Sequence, residues 1–225
     1  MLQLGTLSSR SGPRWQVVRF LLRLVVTTVG LFIFSLGVVL NLQSNAGLSP
    51  WQALHVGMTL HTPLSFGQAS QLVGLVMLLV SWVAGVRPGL ATLMNAVLVG
   101  VFSDLLLASD LIPRQEALPG GLLMLAVSLV VSGLGIASYI RGGLGAGPRD
   151  GFMLALMRLT GRGAAPVRIA IEAGAALGGF LLGGPLGIGT VLFAVGLGPA
   201  VGFWFKVLGV KPPARRPTAQ AGAPA

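Results

Sequence analysis

Six runs of about twenty apolar residues limit what this chain can fold into more than any other feature. At a rise of about 1.5 Å per residue, each run as a helix covers the roughly 30 Å of bilayer hydrocarbon. Within lipid, only helices and closed barrels satisfy their own backbone polar groups. The runs fall near residues 20–41, 68–86, 90–111, 121–139, 165–182 and 188–208. Two further apolar segments, 50–61 and 148–159, make only about 18 Å of helix each and are too short to cross. Composition agrees: 54% hydrophobic and 9% charged residues with a mean hydropathy of +0.87 leave too little polar surface to cover a soluble domain. The reading is an all-α integral membrane protein with six transmembrane helices. They form two inverted three-span repeats, each carrying an additional short re-entrant or interfacial helix.

The net charge of +10 is topological. Basic residues lie in short stretches between apolar runs and form no single patch, which argues against nucleic acid as a partner. Lysine and arginine near span ends gather on the cytoplasmic side. With six crossings and both termini cytoplasmic, Arg10, Arg14, Arg19, Arg87, Arg141, Arg149, Arg158, Arg162, Arg168, Lys211, Arg215 and Arg216 face inward and only Arg114 faces outward. Eight crossings would put Arg87 and Arg141 outside. The stretch "LQSNAG" resembles a signal-peptidase site cut at Ala46. The run before it exceeds the usual signal h-region of about 7–15 residues, so it reads as a retained span. The expected organisation is a basic cytoplasmic segment 1–19, repeat one at 20–111, repeat two at 112–208 and a disordered cytoplasmic tail 209–225.

The repeat is visible when the chain is displaced against itself by 98 positions (145 − 47). Gly37 then meets Gly135, Gly47 meets Gly145, Pro50 meets Pro148, Thr62 meets Thr160, Gly85 meets Gly183, Gly89 meets Gly187, Thr92 meets Thr190 and Gly100 meets Gly198, without a gap. Each unit holds three crossings, an odd number, so the second copy must enter the membrane from the opposite side. "GLSPWQALHVGM" and "GAGPRDGFMLAL" are then one element used twice, and the inward copy keeps the arginines. Gly47, Pro50, Gly145, Gly147 and Pro148 mark its helix starts. Ser49 can cap the first copy, and proline suits a first turn whose N–H would be unpaired anyway.

Ionisable groups are the candidates for chemistry, because each costs at least about 2.5–3.5 kcal/mol to insert. Asp150 sits in the second short helix and corresponds to Gln52 in the first; Arg149 beside Pro148 would reinforce a positive helix start. Arg168 and Glu172 are spaced i, i+4 on the fifth run. Asp104 and Asn95 lie on the third, where Asn95 is better suited to packing between helices. These seven residues are the candidate solute contacts, and the structural alternative is that the arginines mark the cytoplasmic face and the pair anchors a span end. His55 and His61 are spaced six apart with no carboxylate nearby in sequence, so no metal is expected. The chain has no cysteine, no P-loop and no nucleophile–base pair, and the glycines of "GLGAGP" lack the strand and helix of a dinucleotide site. No cofactor and no enzymatic activity are expected.

At "GLSPWQALHVGMTLHTPLSFGQA", "GVRPGLATLMNAVLVGVFSDLLL", "GLGAGPRDGFMLAL" and "GGPLGIGTVLFAVGLGPAV" the chain resembles the bacterial YczE/YyaS/YitT family of multi-pass membrane proteins, closest to its YczE-like branch. The resemblance implies a bacterial plasma-membrane protein and no established activity. It also implies an acidic residue after the tryptophan, where this chain has Gln52. Two functions compete. One is a secondary transporter or permease of a small solute, using a site at the repeat interface. The other is a non-transporting accessory or scaffold protein supporting a membrane or cytoplasmic enzyme system. The expected partners are the lipid bilayer and a small solute, and the sequence permits a homo-oligomer without requiring one.

Overall fold

The computed structural model describes residues 12–210; Arg10 and the expected disordered stretch from 211 onward lie outside them. All regular structure among the described residues is helical: α1 Pro13–Gln43, α2 Pro50–His61, α3 Phe66–Val83, α4 Leu90–Ala108, α5 Leu118–Arg141, α6 Pro148–Thr160, α7 Ala164–Leu181 and α8 Ile188–Leu208. Six of these are long and apolar enough to cross a membrane. The chain is thus a membrane protein whose outer helical surfaces meet lipid. α1 starts seven residues before the apolar run at 20, because Pro13 presets the first turn. Its 31 residues make about 46 Å of helix, well beyond the hydrocarbon thickness.

α1 and α5 form the central pair, α4 packs on α1, and α8 packs on α5. Lipid offers no hydrophobic drive for helix association, so close approach at small residues supplies it. A side chain at Gly37 would strike Ser132, and one at Gly135 would strike the backbone of Phe34. Of the fully buried serines of this seam, Ser35 donates to the Leu31 carbonyl at 2.9 Å and Ser128 to that of Leu125 at 2.7 Å, while the Ser132 hydroxyl has no partner among the described residues.

α2 packs on α7 and α3, while α6 packs on α3 and α7. α2 starts with a capping box: the Ser49 hydroxyl accepts from the Gln52 N–H, and Gln52 Oε1 accepts from the Ser49 N–H. α6 starts at Gly147 and Pro148 and stops where Gly161 turns left-handed, φ +67°. The loops before both short helices are pinned by backbone bonds from distant helix starts. Gly189 N–H donates to the Ala46 carbonyl at 2.8 Å, and Ala91 N–H donates to that of Leu144 at 3.0 Å.

α3 and α4 are clasped together. The Asp104 carboxylate accepts from the Ser65 hydroxyl and from the Gly67 N–H at 2.7 Å, and Gln71 Nε2 donates to the Val97 carbonyl at 2.9 Å. α7 and α8 follow one another in the chain yet barely touch among the described residues. At the positions 98 residues on from Ser65, Gly67, Gln71 and Asp104 stand Gly163, Ala165, Ile169 and Gly202, none with a side chain that could close such a clasp.

Candidate functional site

The starts of α2 and α6 meet inside the helix bundle. Trp51, the second residue of α2, packs with Met77 of α3 and Ala175 of α7. Over its ring lies Arg149, the second residue of α6, with the guanidinium carbon 4.9 Å from the ring centroid. That separation is within cation–π range. Trp51 is 5% exposed and its Nε1 has no hydrogen-bond partner. Arg149 itself is exposed, so the recess it lines where the starts of α2 and α6 meet is open, not enclosed.

Further groups converge on the recess from three other helices. A side-chain carbon at Gly147 would lie 3.2 Å from the Tyr139 hydroxyl of α5, 3.8 Å from Asn95 Nδ2 of α4 and 4.0 Å from Asp150 Oδ2. From α7, Glu172 is the opposite charge that acts most strongly on Arg149, and Arg168 the one that acts most strongly on Asp150. The i, i+4 charges of α7 therefore address the two α6 charges crosswise. Enclosure raises the Asp150 carboxyl above its usual range, and Arg168, the Gly147 N–H and Arg149 oppose that rise.

Five of the seven candidates from the sequence, Asn95, Arg149, Asp150, Arg168 and Glu172, thus surround one region. Gln52 is adjacent to Trp51, but its amide is engaged in the α2 cap and in a 3.0 Å bond to the Val38 carbonyl. Asp104 is held by the start of α3, whereas α6 reaches the other end of that helix, with Gly151 beside Ser81. Sequence reasoning missed Trp51, Tyr139 and Asn41. Asn41 Oδ1 accepts from the Ser49 N–H at 3.2 Å, and Tyr139 lies at the equivalent start of α6, its hydroxyl beside Gly147. The available signal was the 98-residue displacement itself, which carries Asn41 onto Tyr139 and Trp51 onto Arg149.

His55 is buried against the ring of Phe66, centroids 5.6 Å apart, and its Nδ1 has no partner. Burial, with Arg149 nearby, pushes its pKa down to about 3. The described residues contain no group of His, Asp and Glu that could hold a metal ion. Two guanidinium groups, two carboxyls, an amide and a phenol around the recess can bind a polar or charged ligand.

This arrangement lies within the segment matched by a known family model. Residues 21–206 fit the family of unknown function DUF6198. The chain belongs to that family. Its DUF6198 segment takes in every residue of the recess. The chain is 34% identical over 168 residues to a Bacillus subtilis protein described as uncharacterized membrane protein YczE, covering 74% of this chain and 77% of that one. An uncharacterized Haemophilus influenzae protein is 32% identical over 186 residues, 80% of this chain and 84% of its own. The uncharacterized B. subtilis protein YyaS is 30% identical over 166 residues, 73% and 83%. The resemblance read from the motifs is thereby borne out. No solved structure matches the chain.

Proposed function

We propose that this chain is a secondary transporter or permease of a small solute, and not an enzyme. It works in the bacterial plasma membrane with both termini cytoplasmic, from a site between two inverted repeats, 20–111 and 112–208. The observation that carries the reading is the contact of Arg149 with Trp51: two residues 98 positions apart, each one past the proline of its short helix, meet within a charged recess. Transporters built from inverted repeats place their sites where interrupted helices converge near the bilayer midplane.

Reciprocal contacts support the repeat. The bond from Ala91 to Leu144 and the bond from Gly189 to Ala46 exchange under the displacement of 98. So do the caps that Thr92 and Thr190 give Gly89 and Gly187 at 3.1 and 3.0 Å. Recesses also open toward opposite ends of the bundle. One of about 390 Å³ lies beside Asn45, Gly47 and Arg114, and one of about 630 Å³ runs from Trp51 to Arg162. The two short helices are then re-entrant elements lining opposed vestibules. Asn95, Arg149, Asp150, Arg168 and Glu172 contact solute or gate its access, while Gln52 and Asp104 hold the helices that carry them.

The naturally cysteine-free chain allows a direct test. Single cysteines along 49–62 and 147–160 are exposed in intact cells to a membrane-impermeant thiol reagent, added outside or delivered inside. The reading expects deep positions of the first segment to label from outside and deep positions of the second from inside. Labelling that alternates along each helix, as on a helix lying flat at the membrane surface, would overturn it. The accessory reading has one observation of its own, the exposed apolar faces of α7 and α8. Co-purification of a defined partner that is lost when those faces are made polar would favour it.

A further inference from the structure

The 630 Å³ groove between α2, α6 and α7 has a chemistry separate from the charged recess. Its deep end is Trp51, its flank includes Phe152, and its other end carries Thr160 and Arg162. Along α7 it is lined by Ala170, Gly174 and Ala175. At the corresponding places on α3, 98 residues earlier, stand Leu72, Val76 and Met77. Small side chains at these three places leave the groove open along α7. Its volume falls within the roughly 300–1,000 Å³ of small-molecule sites.

Charge selects the occupant. None of the lining residues is acidic, and Arg162 is the one charged residue among them. Arg162 donates its backbone N–H to Thr160 Oγ1, and among the described residues its guanidinium has no protein acceptor. An apolar trough with a free guanidinium at one end matches a ligand with an apolar body and an anionic head.

We propose that this groove binds a single-chain amphipathic anion, with its carboxylate on Arg162 and its alkyl chain passing Ala170 and Gly174 to end against Trp51. The groove is one of the two vestibules of the proposed function, so a bound anion would occupy part of the solute's route, but its binding does not itself require transport. Because Arg149 rests on Trp51, the chain end would touch the residue on which the charged recess is built.

The test uses the full chain with Trp15, Trp82 and Trp204 replaced by phenylalanine, so that Trp51 alone fluoresces, and dibromostearate as the quenching probe. Saturable quenching is expected. Arg162→Gln should weaken it about tenfold, the size of one charge-assisted hydrogen bond. The double substitution Ala170→Leu with Gly174→Leu should abolish the saturable part in protein that remains monodisperse. Linear quenching that is unchanged by the filled groove means ordinary bilayer contact and overturns the proposal. Saturable quenching untouched by Arg162→Gln, or displaced equally by a neutral monoglyceride, overturns the anionic head. Equal displacement by a diacyl phosphatidylglycerol overturns the single chain. If the filled variant does not fold, the Arg162→Gln comparison and the two competitors still decide.

Discussion

Arg149 rests on the ring of Trp51, 4.9 Å from its centroid, and the two residues occupy the same position in their short helices. A cation over an indole in a partly desolvated site gains about 0.5–2 kcal/mol. At one exchange point, then, the first half of the chain supplies an aromatic face and the second a charge.

If that contact organises the recess, Arg149→Lys should not rescue it, because an ammonium lacks the planar stacking of a guanidinium. Once a transported solute is identified by counterflow into proteoliposomes, Arg149→Lys and Trp51→Ala should each lower uptake at least tenfold at unchanged expression. Wild-type uptake in both variants would remove the pair from the site.

Asp104 predicts a loss of a different kind. Its carboxylate accepts from Ser65 and Gly67, so Asp104→Ala leaves two donors short of a partner, at a cost of about 1–3 kcal/mol each when buried. Thermal unfolding in detergent should shift clearly downward, while solute affinity in the folded fraction should hold. An affinity change without a stability change would return Asp104 to the binding site.

Gly47 has φ +117°, and a side chain there would come within 2.8 Å of the Gly187 backbone. Gly145, 98 residues on, has φ +130°, and its side chain would come within 3.1 Å of Gly89. Strain and collision act together, so Gly47→Ala and Gly145→Ala should each cost more than the roughly 1–3 kcal/mol of backbone strain alone. Gly12, with open space around it, should accept alanine. Fluorescence-detected gel filtration of the three variants reads this directly.

His55 sets an acid limit. Its folded pKa is lowered to about 3, while the unfolded chain takes up a proton near pH 6.5. The contribution of the neutral, buried ring is present above about 6.5 and is lost progressively as pH falls toward 3. Unfolding midpoints measured from pH 8 to 5 should therefore fall below about 6.5 in the wild type. His55→Gln should flatten that limb, and parallel curves would show that the ring is not held neutral.

Most of the helix pattern could be read directly from the residues, because lipid imposes one rule on every segment. The short helices start at Pro50 and Pro148 as the prolines require, and the last span begins and ends as its apolar run does. Partnerships were harder to read. The spacing of Arg168 and Glu172 suggests that they pair with each other, but no ion pair joins them, and both act on the charges of α6, a relation that depends on how α6 packs. Asp104 looked like an uncompensated charge because its donors lie on α3, 39 and 37 residues away. Trp51 gave no sign of a role, since an indole in an apolar run reads as packing until a cation from the other half arrives. The loose α7–α8 pair could be read from Gly163 and Gly202 only by asking what those glycines replace.

The exchanged backbone bonds also set an order of events during synthesis. Ala46 leaves the ribosome long before Gly189 exists, so its carbonyl must wait for the last helix while the first helices are already in the membrane. Leu144 meets the opposite circumstance, since Ala91 is in place before it emerges. The nascent chain can complete one half of the exchange as it is made and must hold the other open until its final span is delivered. A truncation before Gly189 would therefore not be a smaller version of this protein, but one arrested with a loop still unfastened.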